Sequence, residues 1–155
     1  MLLVRHAKAG RPAGVADIGR PLAPRGESDA RLLGAFLAVA LPRVGRVITS
    51  PAVRARRTAD LVAAAAGWEV EIEEDESLYG GGVGALLRAL AEDGRSPVVA
   101  FGHEPVWSQA VAVLTGGGRI DMVTAAAALI EGPPEPGGAS LRWMVTPAAL
   151  GGGRH

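Results

Sequence analysis

The sequence contains no cysteine, which removes disulfide bonds, thiolate metal sites and cysteine nucleophiles together. Any chemistry must therefore use histidine, arginine, hydroxyl or carboxylate side chains. Aromatic residues are also few, with three tryptophans, two phenylalanines and one tyrosine, and the 16 basic residues balance the 16 acidic ones. A chain with neither a broad positive field nor many stacking rings is not expected to bind nucleic acid.

Long apolar runs are absent as well. The run 2–4 is too short for the core of a signal peptide, and no stretch approaches the roughly 20 apolar residues of a membrane span. We therefore expect a cytoplasmic protein with no membrane partner. A length of 155 residues fits one domain, which we predict over 1–150, followed by a flexible Gly-rich tail over 151–155. The oligomeric state does not follow from the sequence.

Short apolar runs alternate with amphipathic stretches, which is the pattern of an α/β fold around a largely parallel sheet. Strands are predicted at 2–4, 46–49, 69–74 and 97–101, with the third at an edge. Helices are predicted at 31–41, 85–93 and 105–114, and from an N-cap at Ser50-Pro51 to Gly67. The segments 123–131 and 140–145 flank a turn-rich stretch and predict an antiparallel pair that completes the sheet.

Polar residues follow three of the predicted strands. Arg5 and His6 come after the first strand, and His103 comes after the strand at 97–101. Arg54 lies in the first turn of the helix that follows the strand at 46–49. A single histidine or arginine at such a position is commonly structural. Because ligands of open α/β sheets bind outside the carboxyl ends of the strands, the coincidence of all four predicts a site at this edge.

Two arginines beside helix N-termini predict a site that binds an anion. Phosphate is the expected anion, because the planar guanidinium matches its oxygens bidentately. A neutral imidazole can attack phosphorus and form a phosphohistidine that water then hydrolyses. Arg5, Arg54 and a charged or hydrogen-bonding His103 would stabilise the equatorial oxygens of the transition state. This chemistry requires no cofactor and no metal, and the sequence shows no acidic cluster that would hold one.

These residues lie in motifs that resemble those of the histidine phosphatase superfamily, branch 1. "LVRHAKAG" resembles its Arg-His signature, "TSPAVRARRTA" its Ser-Pro-x-x-Arg-Ala-x-x-Thr segment, and "FGHEP" its second-histidine motif. "DIGRPLAPRG" resembles the loop of small SixA-type phosphohistidine phosphatases, and the similarity continues to "WMVTPAAL" near the C-terminus.

The resemblance implies a phosphoglycerate mutase-like three-layer α/β/α sandwich with helices on both faces of the sheet. It assigns His6 as nucleophile, Arg5 and Arg54 as phosphate-binding arginines, and His103 as the second histidine that contacts the phosphoryl group. A compact chain of this type, without long insertions over the pocket, would admit a phosphorylated side chain of another protein.

One departure from the superfamily pattern concerns the general acid. Mutase-like members carry a glutamate near the middle of the chain, where "DESLYGGG" places Gly80. An alkoxide leaving group needs a proton, whereas imidazole, with a conjugate-acid pKa of about 6.5, leaves with little help. Asp17 and Glu76 are possible substitutes, and each also has a structural interpretation, with Asp17 pairing with Arg20 and Glu76 capping a helix. Lys8 either adds positive potential at the rim or is a solvated loop lysine.

The sequence thus favours a metal-independent phosphatase with a phospho-His6 intermediate, acting on protein phosphohistidine. The alternatives are a small-molecule phosphomonoesterase, with Asp17 or Glu76 as proton donor, and a non-catalytic module that binds phosphate or phosphoproteins. The physiological substrate and the pathway that it serves are not given by these residues.

Overall fold

A six-stranded sheet flanked by helices makes up the protein, whose computed structural model describes residues 1–153. The strands are β1 (Leu2–Arg5), β2 (Arg46–Thr49), β3 (Ile72–Glu74), β4 (Val98–Gly102), β5 (Ala127–Glu131) and β6 (Ser140–Val145). The helices are α1 (Pro24–Ala40), α2 (Val53–Ala66), α3 (Ser77–Gly80), α4 (Gly82–Ala91) and α5 (Val106–Leu114), and 3₁₀ turns cover Asp17–Gly19 and Pro147–Leu150. Across 1–153, none of the helices combines the length and the hydropathy of a bilayer-spanning segment.

The sheet has the order β3-β2-β4-β1-β5-β6. β1, β2, β3 and β4 run parallel, whereas β5 pairs antiparallel with β1 and with β6. Arg5 at the end of β1 lies opposite Gly102 at the end of β4, and Thr49 of β2 lies opposite Phe101. The parallel register therefore brings the carboxyl ends of β1, β2 and β4 together at one edge, as the sequence predicts.

Two apolar clusters on opposite faces of the sheet form the core. Leu2 and Val4 of β1 pack with residues of α1 and α2, whereas Leu3 packs on the other face with residues of α4 and α5. This alternation follows from the two-residue period of a strand, which sends successive side chains to opposite faces. The result is a three-layer α/β/α sandwich, and the predicted fold class is confirmed.

Several predicted boundaries were wrong, among them the start of β3 at Ile72 rather than at 69 and the start of α4 at Gly82 rather than at 85. α1 begins at Pro24 rather than at 31, because its first turns pack polar and small residues against the loop after β1, where no apolar stripe marks them. The N-cap of α2 is Ala52 rather than Ser50, whose backbone N–H still bonds to Phe101 in the sheet. β5 begins at Ala127 rather than at 123, because Ala125, with a φ of 58°, lies in a turn.

The C-terminal segment packs back against the start of α1. Leu150 contacts the core cluster beneath α1, the N–H of Gly152 donates to the carbonyl of Pro147 at 2.7 Å, and Arg25 donates to the carbonyl of Gly153. Of the predicted tail, residues 154 and 155 lie outside the described residues. The division into a domain over 1–150 and a tail stays a prediction.

The contact between α1 and α2 makes a prediction about two helical glycines. A Cβ at Gly34 would lie 2.6 Å from Cβ of Ala65 and 2.7 Å from the carbonyl oxygen of Val62, whereas at exposed Gly84 it would meet only the end of Arg88 at 3.4 Å. We expect Gly34→Ala to lower the free energy of unfolding by about 1–3 kcal/mol through overpacking. Gly84→Ala, the matched control, should raise it by up to about 1 kcal/mol through helix propensity.

Urea unfolding of both variants measures these changes. A Gly34→Ala protein as stable as the parent would contradict the close approach of α1 and α2.

Candidate active site

The structure brings together the four side chains that the strand ends predict. Arg5 and His6 close β1, His103 follows β4, and Arg54 lies in the first turn of α2. The N–H of His6 donates to the carbonyl of Gly102 at 2.9 Å, which joins the ends of β1 and β4. The centroids of the His6 and His103 rings are 5.1 Å apart. Backbone hydrogen bonds of the sheet thus fix the spacing between the two imidazoles.

The hydrogen bonds of His6 determine its tautomer. Nδ1 lies 2.8 Å from the carbonyl oxygen of Ala7, and Nε2 lies 3.3 Å from Nε of Arg54. A carbonyl oxygen only accepts and a guanidinium only donates, so Nδ1 carries the proton and Nε2 presents its lone pair. Nε2 of His6 is therefore the ring nitrogen that is able to act as a nucleophile.

His103 has the opposite tautomer to His6, with its proton on Nε2. Its Nδ1 lies 3.4 Å from Nη2 of Arg54, and its Nε2 lies 2.8 Å from Oγ of Ser50. Because Arg54 can only donate, Nδ1 is the acceptor and Nε2–H donates to the Ser50 hydroxyl. That hydroxyl also accepts from the N–H of Ala52 at 3.2 Å, so the end of β2 holds the second histidine in place.

Both imidazoles are uncharged at neutral pH. Burial lowers the pKa of His6 to about 3, although the hydrogen bond to Ala7 opposes the change, and His103, Arg54 and Arg5 act in the same direction as burial. Burial, followed by the charges of Arg54 and Arg5, lowers the pKa of His103 to about 4, although Asp17 opposes the change. The site therefore places an uncharged His6 ring beside two guanidinium groups.

Arg5 has a donor that no protein group uses. Its Nη1 donates to the carbonyl of Met122 at 2.8 Å, which fixes the side chain, but its buried Nε has no hydrogen-bond partner among the described residues. A buried donor without a partner costs free energy. Arg5 also lines the cavity beside His6, which fits the phosphate-binding role that the sequence predicts for it.

Asp17 contacts Arg54 as well as its predicted partner Arg20. Its Oδ1 accepts from Arg20 at 3.0 Å, its Oδ2 accepts from Nη2 of Arg54 at 3.0 Å, and its carbonyl oxygen accepts from Nη1 of Arg54 at 2.7 Å. Hydrogen bonds from Tyr79, Arg20 and Arg54 hold the pKa of Asp17 well below its usual range. Asp17 is thus ionised at neutral pH and orients Arg54, while its role as a proton donor stays a prediction.

Glu76 occupies an exposed position before α3. Its side chain makes no hydrogen bond or ion pair with any of residues 1–153. The predicted capping role was wrong, because Oδ1 of Asp75 accepts from the N–H of Ser77 at 2.9 Å instead. A proton-donor role for Glu76 likewise stays a prediction.

Sequence reasoning missed two residues that support the site. Oη of Tyr79 donates to Oδ2 of Asp17 at 2.8 Å, and its ring meets His103 edge-on with centroids 5.7 Å apart. Oγ1 of Thr58 accepts from the N–H of Ala7 at 3.0 Å and donates to the carbonyl of Arg54 at 2.7 Å, which ties α2 to the nucleophile segment. Thr58 is part of the "TSPAVRARRTA" motif, whereas no pattern in the sequence marks Tyr79.

A cavity of about 170 Å³ opens beside these residues. Its lining consists of Arg5, His6, Lys8, Ala9, Arg11, Arg20, Arg54 and Thr124. Within residues 1–153, no three His, Asp or Glu side chains come together in a way that could hold a metal ion. The arrangement can bind an anion and present the His6 lone pair to it.

The lowered pKa values of the two imidazoles predict how protonation and the free energy of unfolding change with pH. In the folded protein, His6 and His103 should stay neutral from pH 8 down to about 5, because their pKa values lie near 3 and 4 instead of 6.5. Since the unfolded chain takes up these protons first, the free energy of unfolding should fall as the pH drops from about 6.5 to 4. Nitrogen NMR of the imidazole rings measures both titrations.

The same protein in denaturing urea provides the control, where both rings should titrate near their ordinary pKa. Protonation of His6 in the folded protein at pH 6 would contradict the neutral nucleophile.

Comparisons with known proteins agree with this geometry. A family model described as "Histidine phosphatase superfamily (branch 1)" matches residues 1–79. An uncharacterised protein of Mycobacterium tuberculosis strain H37Rv is 39% identical over 113 residues, which cover 72% of this chain and 69% of that protein. Phosphohistidine phosphatase SixA of Escherichia coli K12 is 29% identical over 154 residues, which cover 97% of this chain and 95% of that protein.

The solved structure of protein histidine phosphatase SixA complexed with tungstate superposes with a TM-score of 0.85 at 28% identity. The superposition covers 96% of this chain and 97% of that chain. The family model and this solved structure thus point to the same family. The chain belongs to the histidine phosphatase superfamily, branch 1.

Proposed function

We propose that this protein is a metal-independent protein phosphohistidine phosphatase that transfers a phosphoryl group first to His6 and then to water. The observation that carries the proposal is the pair of contacts made by the two ring nitrogens of His6, from which its tautomer is inferred. Its Nδ1 proton is held by Ala7, so that an uncharged Nε2 faces the Arg54 guanidinium. A site that only bound phosphate would not need a nucleophile oriented in this way.

The first step exchanges one nitrogen–phosphorus bond for another. The Nε2 lone pair of His6 attacks phosphorus, and the bond between phosphorus and the substrate imidazole breaks with its electron pair returning to that ring. Because the substrate imidazole keeps a proton on its other nitrogen, it leaves as a neutral ring. The Nδ1–H of His6 still donates to the carbonyl of Ala7. This hydrogen bond stabilises the phosphorylated, positively charged ring.

Three side chains stabilise the charge on the transferring group. Arg5 and Arg54 present donors that remain charged at any physiological pH. His103 accepts from Arg54 through Nδ1 in the free site, and a phosphoryl dianion beside it would raise its pKa and allow it to donate. Donors fixed before the reaction act where a loose transition state carries its negative charge.

In the second step, water attacks phosphorus and the bond to Nε2 breaks. The electron pair returns to Nε2, the protons of the water leave with the phosphate, and His6 regains its starting tautomer. The nucleophile is therefore restored without any change in its Ala7 hydrogen bond.

The substrate class follows from the leaving group. Gly80 offers no acid where mutase-like members carry glutamate, and Asp17 is ionised by its contacts with Tyr79, Arg20 and Arg54. Imidazole can leave without a proton donor, whereas an alkoxide cannot. The similarity to SixA, which is named as a phosphohistidine phosphatase, supports the same substrate. We place the reaction in the cytoplasm, as the sequence predicts.

A rapid-quench experiment tests the covalent step. The protein is mixed with a phosphohistidine peptide in the presence of EDTA and quenched in base, and phosphate on His6 is located by mass spectrometry. We expect acid-labile, base-stable phosphate on His6, and His6→Asn should lower kcat/KM by roughly 10³-fold or more. Arg43→Met, an exposed change at the opposite end of the sheet, serves as the control.

Turnover without phospho-His6 would contradict the mechanism. Binding of the phosphopeptide without any turnover, retained in His6→Ala, would show instead that the protein is a non-catalytic phosphate-binding module.

The small-molecule phosphomonoesterase makes a different prediction for the two carboxylates. If either donates a proton, Asp17→Asn or Glu76→Gln should slow an alkyl phosphate by about 10²-fold or more relative to an activated aryl phosphate. We expect no such selectivity. Asp17→Asn should slow both substrates to a similar degree, because it loosens Arg54, and Glu76→Gln should leave both rates within about twofold, as expected for an exposed side chain. Steady-state kinetics with the two ester classes distinguish the cases.

A further inference from the structure

The cavity beside His6 carries more positive charge than one phosphoryl group needs. Five of its lining side chains are cationic and none is a carboxylate, although the whole chain has no net charge. Asp17 compensates Arg54 and Arg20 from outside the cavity through its two ion pairs. Because Asp17 carries one negative charge, one positive charge of this pair remains, together with those of Arg5 and of two residues of the following loop, Lys8 and Arg11.

Lys8 and Arg11 differ from many of the surface arginines in having no counter-ion. Arg56, Arg57 and Arg95 each contact carboxylates within 3.1 Å. Neither Lys8 nor Arg11 makes an ion pair with any residue of the described chain. Both residues are exposed, so water screens the repulsion between them, but each keeps unpaired donors at the cavity for a ligand that supplies negative charge.

The loop that carries these residues is held at several points along its backbone. The carbonyl of Lys8 accepts from the N–H of Ala23 at 2.8 Å, Ala9 forms an isolated antiparallel bridge with Leu22, and the N–H of Gly10 donates to Pro21 at 2.9 Å. Nε of Arg20 also donates to the carbonyl of Gly10 at 3.0 Å. The backbone beside Lys8 and Arg11 is thus fixed at the cavity rather than free in solvent.

We propose that Lys8 and Arg11 form a second anion subsite, which binds a carboxylate of the substrate next to its phosphoryl group. A phosphoryl group carries at most two negative charges, which Arg5 and Arg54 can match. Lys8 and Arg11 remain for a further anionic group, which an acidic side chain flanking a phosphohistidine would supply. This inference rests on the proposed phosphatase activity and narrows its substrates to phosphorylated molecules that carry a nearby carboxylate.

A matched pair of aryl phosphates tests the subsite. 3-Carboxyphenyl phosphate carries the second anion, and 3-carbamoylphenyl phosphate has nearly the same shape without the charge. We expect kcat/KM to be about tenfold higher for the carboxylate, which corresponds to one charge-assisted hydrogen bond. In the Lys8→Met, Arg11→Met double variant, the ratio of the two kcat/KM values should fall to about one, and added salt should lower it in the parent.

The control is Arg43→Met, which removes an exposed arginine from the opposite end of the sheet and should leave the ratio at the parent value. Turnover of the carbamoyl ester by every protein shows that each variant is folded and active. A failure of the parent to hydrolyse either ester or a phosphohistidine peptide would count against the proposed function rather than against the subsite.

Phosphohistidine peptides identify the source of the carboxylate. The residues that flank the phosphorylated histidine are aspartate in one peptide and asparagine in the other. A preference for the aspartate peptide that the double variant loses assigns the subsite to acidic protein segments, and a preference confined to the aryl esters assigns it to small carboxylates. Equal kcat/KM values within both pairs for the parent, or a preference that survives in the double variant, would overturn the proposal.

Discussion

The guanidinium of Arg54 lies between His6, His103 and Asp17 and donates a hydrogen bond to each of them. Nε donates to Nε2 of His6, Nη2 donates to Nδ1 of His103, and both terminal nitrogens donate to Asp17. Because a guanidinium never accepts, each of these contacts fixes the position of a lone pair. Arg54 is 6% exposed, so its charge also acts on both imidazoles through little solvent and lowers their pKa values.

The position of Arg54 depends in turn on the sheet. α2 follows β2 directly, and the parallel pairing of β2 with β4 and of β4 with β1 sets the distances among the three strand ends. Thr58, one turn further along α2, joins the backbone of Arg54 to that of Ala7. The geometry of the candidate site is therefore a consequence of strand register, and packing on the two faces of the sheet supplies the rigidity that a fixed tautomer needs.

The sequence is enough to predict those residues of the site that directly follow a strand. His6 and His103 each follow a buried strand directly, and Arg54 begins the helix after another, so a rule about parallel sheets is enough to bring them together. Tyr79 could not be found in this way, because it reaches Asp17 from a short helix between loops, and no periodicity fixes such a contact. The early start of α1 was missed for a related reason, since its first turns are held by contact with the backbone of Lys8 rather than by an apolar stripe.

The tautomer of His6 is the central claim, and a crystal structure with bound vanadate tests it most directly. Vanadate adopts the five-coordinate geometry of a transferring phosphoryl group, so the bond that it forms identifies the attacking atom. We predict a vanadium bond to Nε2 of His6, oxygens on Arg5, Arg54 and His103, and an unbroken hydrogen bond from Nδ1 to the Ala7 carbonyl. A bond to Nδ1, or vanadate held by the arginines with Nε2 of His6 turned away, would contradict the account.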